Sequence, residues 1–218
     1  MKGKCYLCGA TENITRDHIP PVGFFVCPLP DNLITVPCCR SCNDSFKNDD
    51  EAARAFFTAY RWQSDKGLWV WKNKVAASTL KRSPKLAQHM RTSLLLLPVR
   101  TDKGVEVMPA IQFPPERMNR WLIRITRGLL AKFYPHIETL DMHFEVQQIA
   151  PSQDIAAFMF KTMKYDERGD GVFRFWRNIV EDGAHYLGIW SYVFYDGLCF
   201  KVTHSRDEKE LLELKSNT

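Results

Sequence analysis

Apolar and polar positions change rhythm twice along this chain. Residues 1–50 are short segments broken by Gly, Pro, Asn and Asp, with no sustained period. From Asp49 onward, DDEAARAFFTAYRW places acids first and apolar residues at helical spacing, which predicts a helix whose N-terminal dipole is complemented by carboxylates. A second helical stretch is predicted over about residues 77–97, interrupted near Pro84. Residues 98–114 read as loop and short extended pieces bounded by Pro98 and the Pro114–Pro115 pair. In PERMNRWLIRITRGLLAKFYPH, Pro115 suits a first helical turn. Met118, Trp121, Leu122, Ile125, Leu129 and Phe133 then form a stripe at 3–4 spacing, with Arg117, Arg120, Arg124 and Arg127 on another face. After residue 140 the period drops to two. HFEVQQI and GVFRFWR alternate, and SYVFYDGLCFKV holds Asp-Gly between two β-rich arms, a hairpin signal. The charged tail after Ser205 reads as a short helix or a frayed end. No repeat or low-complexity segment is visible. The pattern predicts an α+β protein with two parts: residues 1–50, and a larger helical then β-rich region over 51–218.

Composition narrows this picture. The 218 residues are 45% hydrophobic and 12% aromatic, enough to bury a core and unlike a disordered chain. The formal net charge is +5. Residues 1–50 carry five Lys/Arg against six Asp/Glu, a net of −1, so the remainder carries +6. A polyanionic partner is compatible with that balance, and its grip would come mainly from the second part. MKGKCYLCGA has no apolar stretch of the signal-peptide kind, and SLLLLPV is too short to span a bilayer. A cytoplasmic chain with reduced thiols and no membrane association is expected.

Six of the seven cysteines precede residue 43. In a reducing compartment such clustering, with an odd total, points to metal rather than disulfides. Cys5-x2-Cys8 and Cys39-x2-Cys42 are two turns of the kind that bring paired thiolates onto one tetrahedral Zn2+. A site of this type contributes roughly 10–16 kcal/mol of apparent binding energy to folding. Cys38-x3-Cys42 is a possible alternative pairing, and Cys27, without a partner pattern, reads as structural.

Between the cysteine pairs stands TRDHIPP, residues 15–21, with Asn32 in PDNL and Asn43 directly after Cys42. Singly, Asp17 reads as a turn or cap residue, Asn32 as a turn residue, Asn43 as a helix cap and His18 as a satisfied polar group. In order, they form Cys-x2-Cys, Asp-His-Ile-Pro-Pro, Asp-Asn-Leu, Cys-x2-Cys-Asn. Over residues 4–50 this arrangement resembles the HNH endonucleases (ββα-metal or His-Me finger nucleases) in their zinc-ribbon form, closest to phage endonuclease VII-type active sites. Asn43 stands where the pattern's final His falls, an HNN variant. The resemblance implies a zinc-stapled ββα-metal finger with His18 as general base. It further implies Asp17 and Asn43 as oxygen ligands of one catalytic Mg2+ or Mn2+, and Asn32 as the residue that ties the finger's strands together and orients His18. The chemistry matches: a neutral imidazole activates water, and hard oxygen donors favour Mg2+ or Mn2+ over zinc.

The expected activity is metal-dependent hydrolysis of DNA, with RNA as the alternative polymer, giving 5′-phosphate and 3′-hydroxyl ends by family analogy. Arg16 and Lys47 read equally as phosphate contacts or solvated charges, as do Arg117, Arg120, Arg124 and Arg127. Asp49, Asp50 and Glu51 read as the acidic turn of the next helix rather than a metal site. Trp62, Trp69, Trp71, Trp121, Trp176 and Trp190 read as core ahead of base-stacking platforms. His89, His136, His143, His185 and His204 show no ligand spacing. Rival readings are a zinc module that binds nucleic acid without cutting it, a nuclease effector of a defence or mobile-element system, and a structural adaptor. A homodimer or protein partner is expected to use the C-terminal region.

Overall fold

The computed structural model describes residues 3–59, 64–101, 104–149, 161–182 and 185–216. It mixes helix and strand in the α+β manner. The first strands, β1 (Ile14–Ile19) and β2 (Ile34–Cys39), pair antiparallel with Asp17 opposite Val36 and His18 opposite Thr35. A short helix, α1 (Arg40–Ser45), follows β2 directly, and α2 (Lys47–Thr58) follows after Phe46. The expected boundary at residue 50 therefore falls inside α2.

The second helical region begins at Asp65, earlier than the predicted stretch of about 77–97, ends at Thr92 and is built from several pieces. Helix α3 (Asp65–Val70) is capped by Ser64, whose hydroxyl accepts from the Gly67 N–H. It widens into π-helical turns over Trp71–Thr79 and tightens again in α4 (Leu80–Arg82). Helix α5 (Pro84–Thr92) starts anew at Pro84. Residues 94–111, expected as the end of a helix followed by loop and short extended pieces, form a hairpin of β3 (Leu94–Thr101) and β4 (Gly104–Ile111). This sheet has only two strands, so both are edges and Pro98 and Pro109 withhold no needed ladder donor.

Helix α6 (Pro115–Phe133) carries the predicted stripe, and Trp121, Leu122, Ile125 and Leu129 are fully buried. The rest of the sheet structure is one antiparallel sheet of five strands in the order β5-β9-β8-β7-β6. Its strands are β5 (His143–Ile149), β6 (Lys164–Arg168), β7 (Phe173–Asp182), β8 (His185–Phe194) and β9 (Leu198–Ser205). The predicted Asp-Gly hairpin joins β8 to β9, with Phe194 opposite Leu198. Positive φ angles fall on Tyr195 (50°) and Asp196 (62°). The tail forms α7 (Glu208–Ser216).

One apolar core joins the β1–β2 hairpin, α2, α5, α6 and the large sheet. Phe24 stacks on Trp121 with centroids 5.2 Å apart, and Phe57 of α2 stacks on Phe200 of β9 at 5.3 Å. The Tyr195 hydroxyl donates to the Phe24 carbonyl at 2.7 Å. The inner face of the β1–β2 hairpin is therefore packed against α6 and, beyond it, the large sheet. Among the described residues no helix is long and apolar enough to cross a membrane.

Candidate metal centre and active site

The four cysteines converge from two local structures. Cys5 and Cys8 lie on a turn closed by Cys5 N–H to the Ala10 carbonyl and Gly9 N–H to the Cys5 carbonyl, both 2.8 Å. Gly9 takes φ +76°, a conformation that a side chain would strain. Cys39 ends β2 as the N-cap of α1, and Cys42 lies on that helix. Their four sulfurs lie within 4.8 Å of one another, with Cys8 and Cys39 at 3.7 Å. A tetrahedral site with Zn–S bonds of about 2.3 Å separates its sulfurs by about 3.8 Å. The donor set thus fits, and these four cysteines could hold a zinc ion. Cys38 is buried in β2 with its sulfur 3.9 Å from that of Cys5, but it is not one of the four whose sulfurs all lie within 4.8 Å of one another. Cys27 is exposed rather than a buried structural thiol.

The ribbon is tied to the hairpin by backbone bonds from Tyr6 N–H to the Pro37 carbonyl (3.1 Å) and from Arg40 N–H to the Asn13 carbonyl (3.0 Å). Along the second half of β1, alternation buries Asp17 and Ile19 and leaves Arg16 exposed and His18 half-buried. Asp17 and His18 therefore serve different environments. His18 is half-buried, and burial lowers its pKa first of all. Asp17 opposes that shift and Arg16 adds to it, so the imidazole is neutral at neutral pH. Arg16 is exposed on the same face.

Asp17 is only 4% exposed. Arg124 Nη2 donates to its two oxygens at 2.8 and 2.9 Å, and the Tyr6 hydroxyl donates to Oδ2 at 2.7 Å. Arg124, 1% exposed, also donates to Asp50, while Trp121 Nε1 donates to the same Asp50 oxygen at 2.9 Å. The Phe46 ring lies 4.7 Å from the guanidinium. Burial pushes the Asp50 carboxyl up to about 6 against the pull of Arg124. Burial works against the Arg124 cation too, but Tyr6, Asp50 and Asp17 outweigh it and hold its pKa above the usual arginine value. Burial, and then Asp17, push the Tyr6 phenol well up.

The expected oxygen site for a catalytic divalent ion does not fit this arrangement. Both Asp17 oxygens are engaged and shielded from water. Asn43 donates through Nδ2 to the Thr15 hydroxyl at 3.3 Å, and that hydroxyl donates to the Cys38 carbonyl at 2.9 Å. Asn32 also departs from expectation: exposed, it donates to the Glu167 carbonyl of β6 at 3.3 Å and does not bridge β1 to β2.

Of the arginine row, Arg124 is buried, Arg117 and Arg127 are half-buried and Arg120 is exposed. Arg117 donates to Asp49 and to the Asn48 carbonyl, both at 2.6 Å. Arg120 reaches Asp49 at 3.6 Å and covers the Phe46 ring at 4.6 Å, and Arg127 covers the Phe144 ring at 5.2 Å. Asp49 and Asp50 do open α2, as expected, and also anchor α6; Glu51 pairs with Arg82 at 3.0 Å. Lys47 is exposed beside Asp44 at 2.8 Å. Trp121, Trp176 and Trp190 are buried, Trp71 packs against the core, Trp69 is partly exposed and Trp62 lies outside the described residues.

Sequence reasoning missed Tyr6 as an Asp17 partner and the inward role of Arg124. The one available signal was spacing: Arg124 lies three residues after Trp121 and four before Gly128, at the margin of the buried stripe. No protein-family model, curated protein or solved structure matches the chain.

Proposed function

We propose that this chain is an HNH-type endonuclease that hydrolyses phosphodiester bonds of DNA or RNA, with His18 as the general base. One observation carries the reading. Four zinc-compatible cysteines clamp the turn before β1 and the junction of β2 with α1, and the strand so fixed carries a half-buried imidazole beside exposed Arg16. The strand–strand–helix order matches the ββα-metal finger that the sequence resembles. In this reading His18 takes a proton from a water molecule, the water oxygen attacks phosphorus, and the P–O3′ bond breaks as O3′ takes up a proton from solvent, leaving 5′-phosphate and 3′-hydroxyl ends. Arg16, exposed on the same face, is the nearest phosphate counter-charge along β1.

The test uses zinc-loaded wild type and His18→Ala on supercoiled plasmid, a branched DNA junction and a structured RNA, with and without added Mg2+. Cutting by wild type that is lost in a folded, zinc-loaded His18→Ala supports the reading. Equal cutting by both proteins, or no cutting of any substrate, overturns it.

A second reading is favoured by the burial of Asp17 against Arg124: a zinc module that binds nucleic acid without cutting it. It predicts retention of the same substrates by wild type and His18→Ala alike, with no cleavage. In either reading, the exposed Leu96, Val105 and Val107 of the β3–β4 hairpin support a protein partner or second copy on the 51–218 region.

A further inference from the structure

Asp17 is the residue that the HNH resemblance assigns to a divalent ion, and its carboxylate is among the least accessible on the finger. A Mg2+ ion takes its oxygens at about 2.1 Å in near-octahedral geometry and keeps several waters. Neither requirement is met here. One guanidinium nitrogen spans both Asp17 oxygens, the Tyr6 hydroxyl takes a further lone pair, and the side chain is shut off from solvent.

Arg124 cannot leave cheaply either. It bridges Asp17 to Asp50, its Nε lies 3.3 Å from the Tyr6 hydroxyl, and the Phe46 ring closes one side. Withdrawing it would leave buried Asp17 and half-buried Asp50 without an ion-pair partner among the described residues. Leaving it in place would set a dication against a fixed positive charge only a few ångströms away in a low-dielectric pocket. Arginine is suited to this place, because its fork satisfies two carboxylates at once and it never loses its charge.

We propose that Arg124 is the resident cation of this site: it stands where a catalytic metal ion would sit, and Asp17 serves as its internal counter-ion and binds no divalent ion. The proposal concerns metal uptake alone and does not rest on the nuclease reading. A nuclease working from His18 would draw its phosphate neutralisation from elsewhere than Asp17.

The experiment is a Mn2+ titration of the full, zinc-loaded chain, followed by the six-line EPR signal of free Mn2+. The variants are Asp17→Asn and Asn43→Ala, each checked by circular dichroism and zinc content. Wild type is expected to leave Mn2+ free up to about 1 mM, the weak end of specific affinity. Uptake that persists unchanged in both variants places an ion elsewhere and upholds the assignment of Asp17. Uptake of one Mn2+ per chain by wild type that is lost in either variant overturns the proposal. Asn43 is only partly buried and hydrogen-bonded at a distance, so its variant decides the matter even where Asp17→Asn fails to fold. No readout depends on cleavage, so a failed nuclease assay and a failed proposal remain distinct results.

Discussion

Gly128 on α6 and Ile19 on β1 approach so closely that a Cβ at residue 128 would stand 2.6 Å from both Cγ1 and Cδ1 of Ile19. Helix and hairpin meet there without an intervening side chain. Both partners are buried, so neither can swing into solvent. Gly128→Ala should therefore destabilise the chain by about 1–3 kcal/mol through overpacking, offset by up to about 1 kcal/mol of helix propensity. Urea unfolding measures the net loss. In a double-mutant cycle, Ile19→Ala should cost less in the Gly128→Ala background than in wild type.

Breaking the buried ion network should be asymmetric. Arg124→Met leaves Asp17 and Asp50 without their ion-pair partner and should cost about 3–5 kcal/mol. Asp17→Asn should cost less, because Arg124 keeps Asp50 and an amide oxygen still accepts a hydrogen bond. Paired denaturation curves at neutral pH check the order. Equal losses would mean that Asp50 does not share the cation.

His204 predicts how stability responds to acid. Fully buried between the Phe144 and Tyr186 rings, it accepts from Trp190 Nε1 at 2.9 Å through Nε2. Burial pushes its pKa down to about 3. The folded-state value is below the unfolded one of about 6.5, so the unfolded chain binds the extra proton. Stability from this residue is complete above about pH 6.5 and is lost as pH falls toward 3, by up to about tenfold in the unfolding constant per pH unit. Because the cysteine cluster also responds to acid, the measurement is the difference between wild type and His204→Gln across pH 7 to 4. Parallel curves would contradict the assignment.

Several elements were legible because their signals are local. The α6 stripe repeats over five turns, the β8–β9 hairpin is flanked by strong alternation, and the cysteine pairs sit on short turns. The β3–β4 hairpin was not legible. Pro98 and Pro109 look like breakers, and only an isolated two-stranded sheet makes them tolerable. Four consecutive leucines at 94–97 suit a helix or a strand equally, and pairing with β4 decided between them. At the candidate site, Asp17 and His18 were legible as a pair but not as occupants of opposite faces with different partners. The partner that captures Asp17 lies 107 residues away in sequence, beyond the reach of any local pattern. Asn32 was missed for the same reason, since its acceptor on β6 lies 135 residues away.

The shared core has a consequence for how this finger could travel between proteins. A cassette cut at residue 50 would expose Ile19, Phe24, Ile34 and Val36 and would leave Asp17 buried beside an absent arginine. The smallest transplantable unit must carry α6 as well, although about seventy residues of chain separate that helix from the last cysteine of the cluster. Recombination at the visible boundary in the sequence would divide the structure through its shared core.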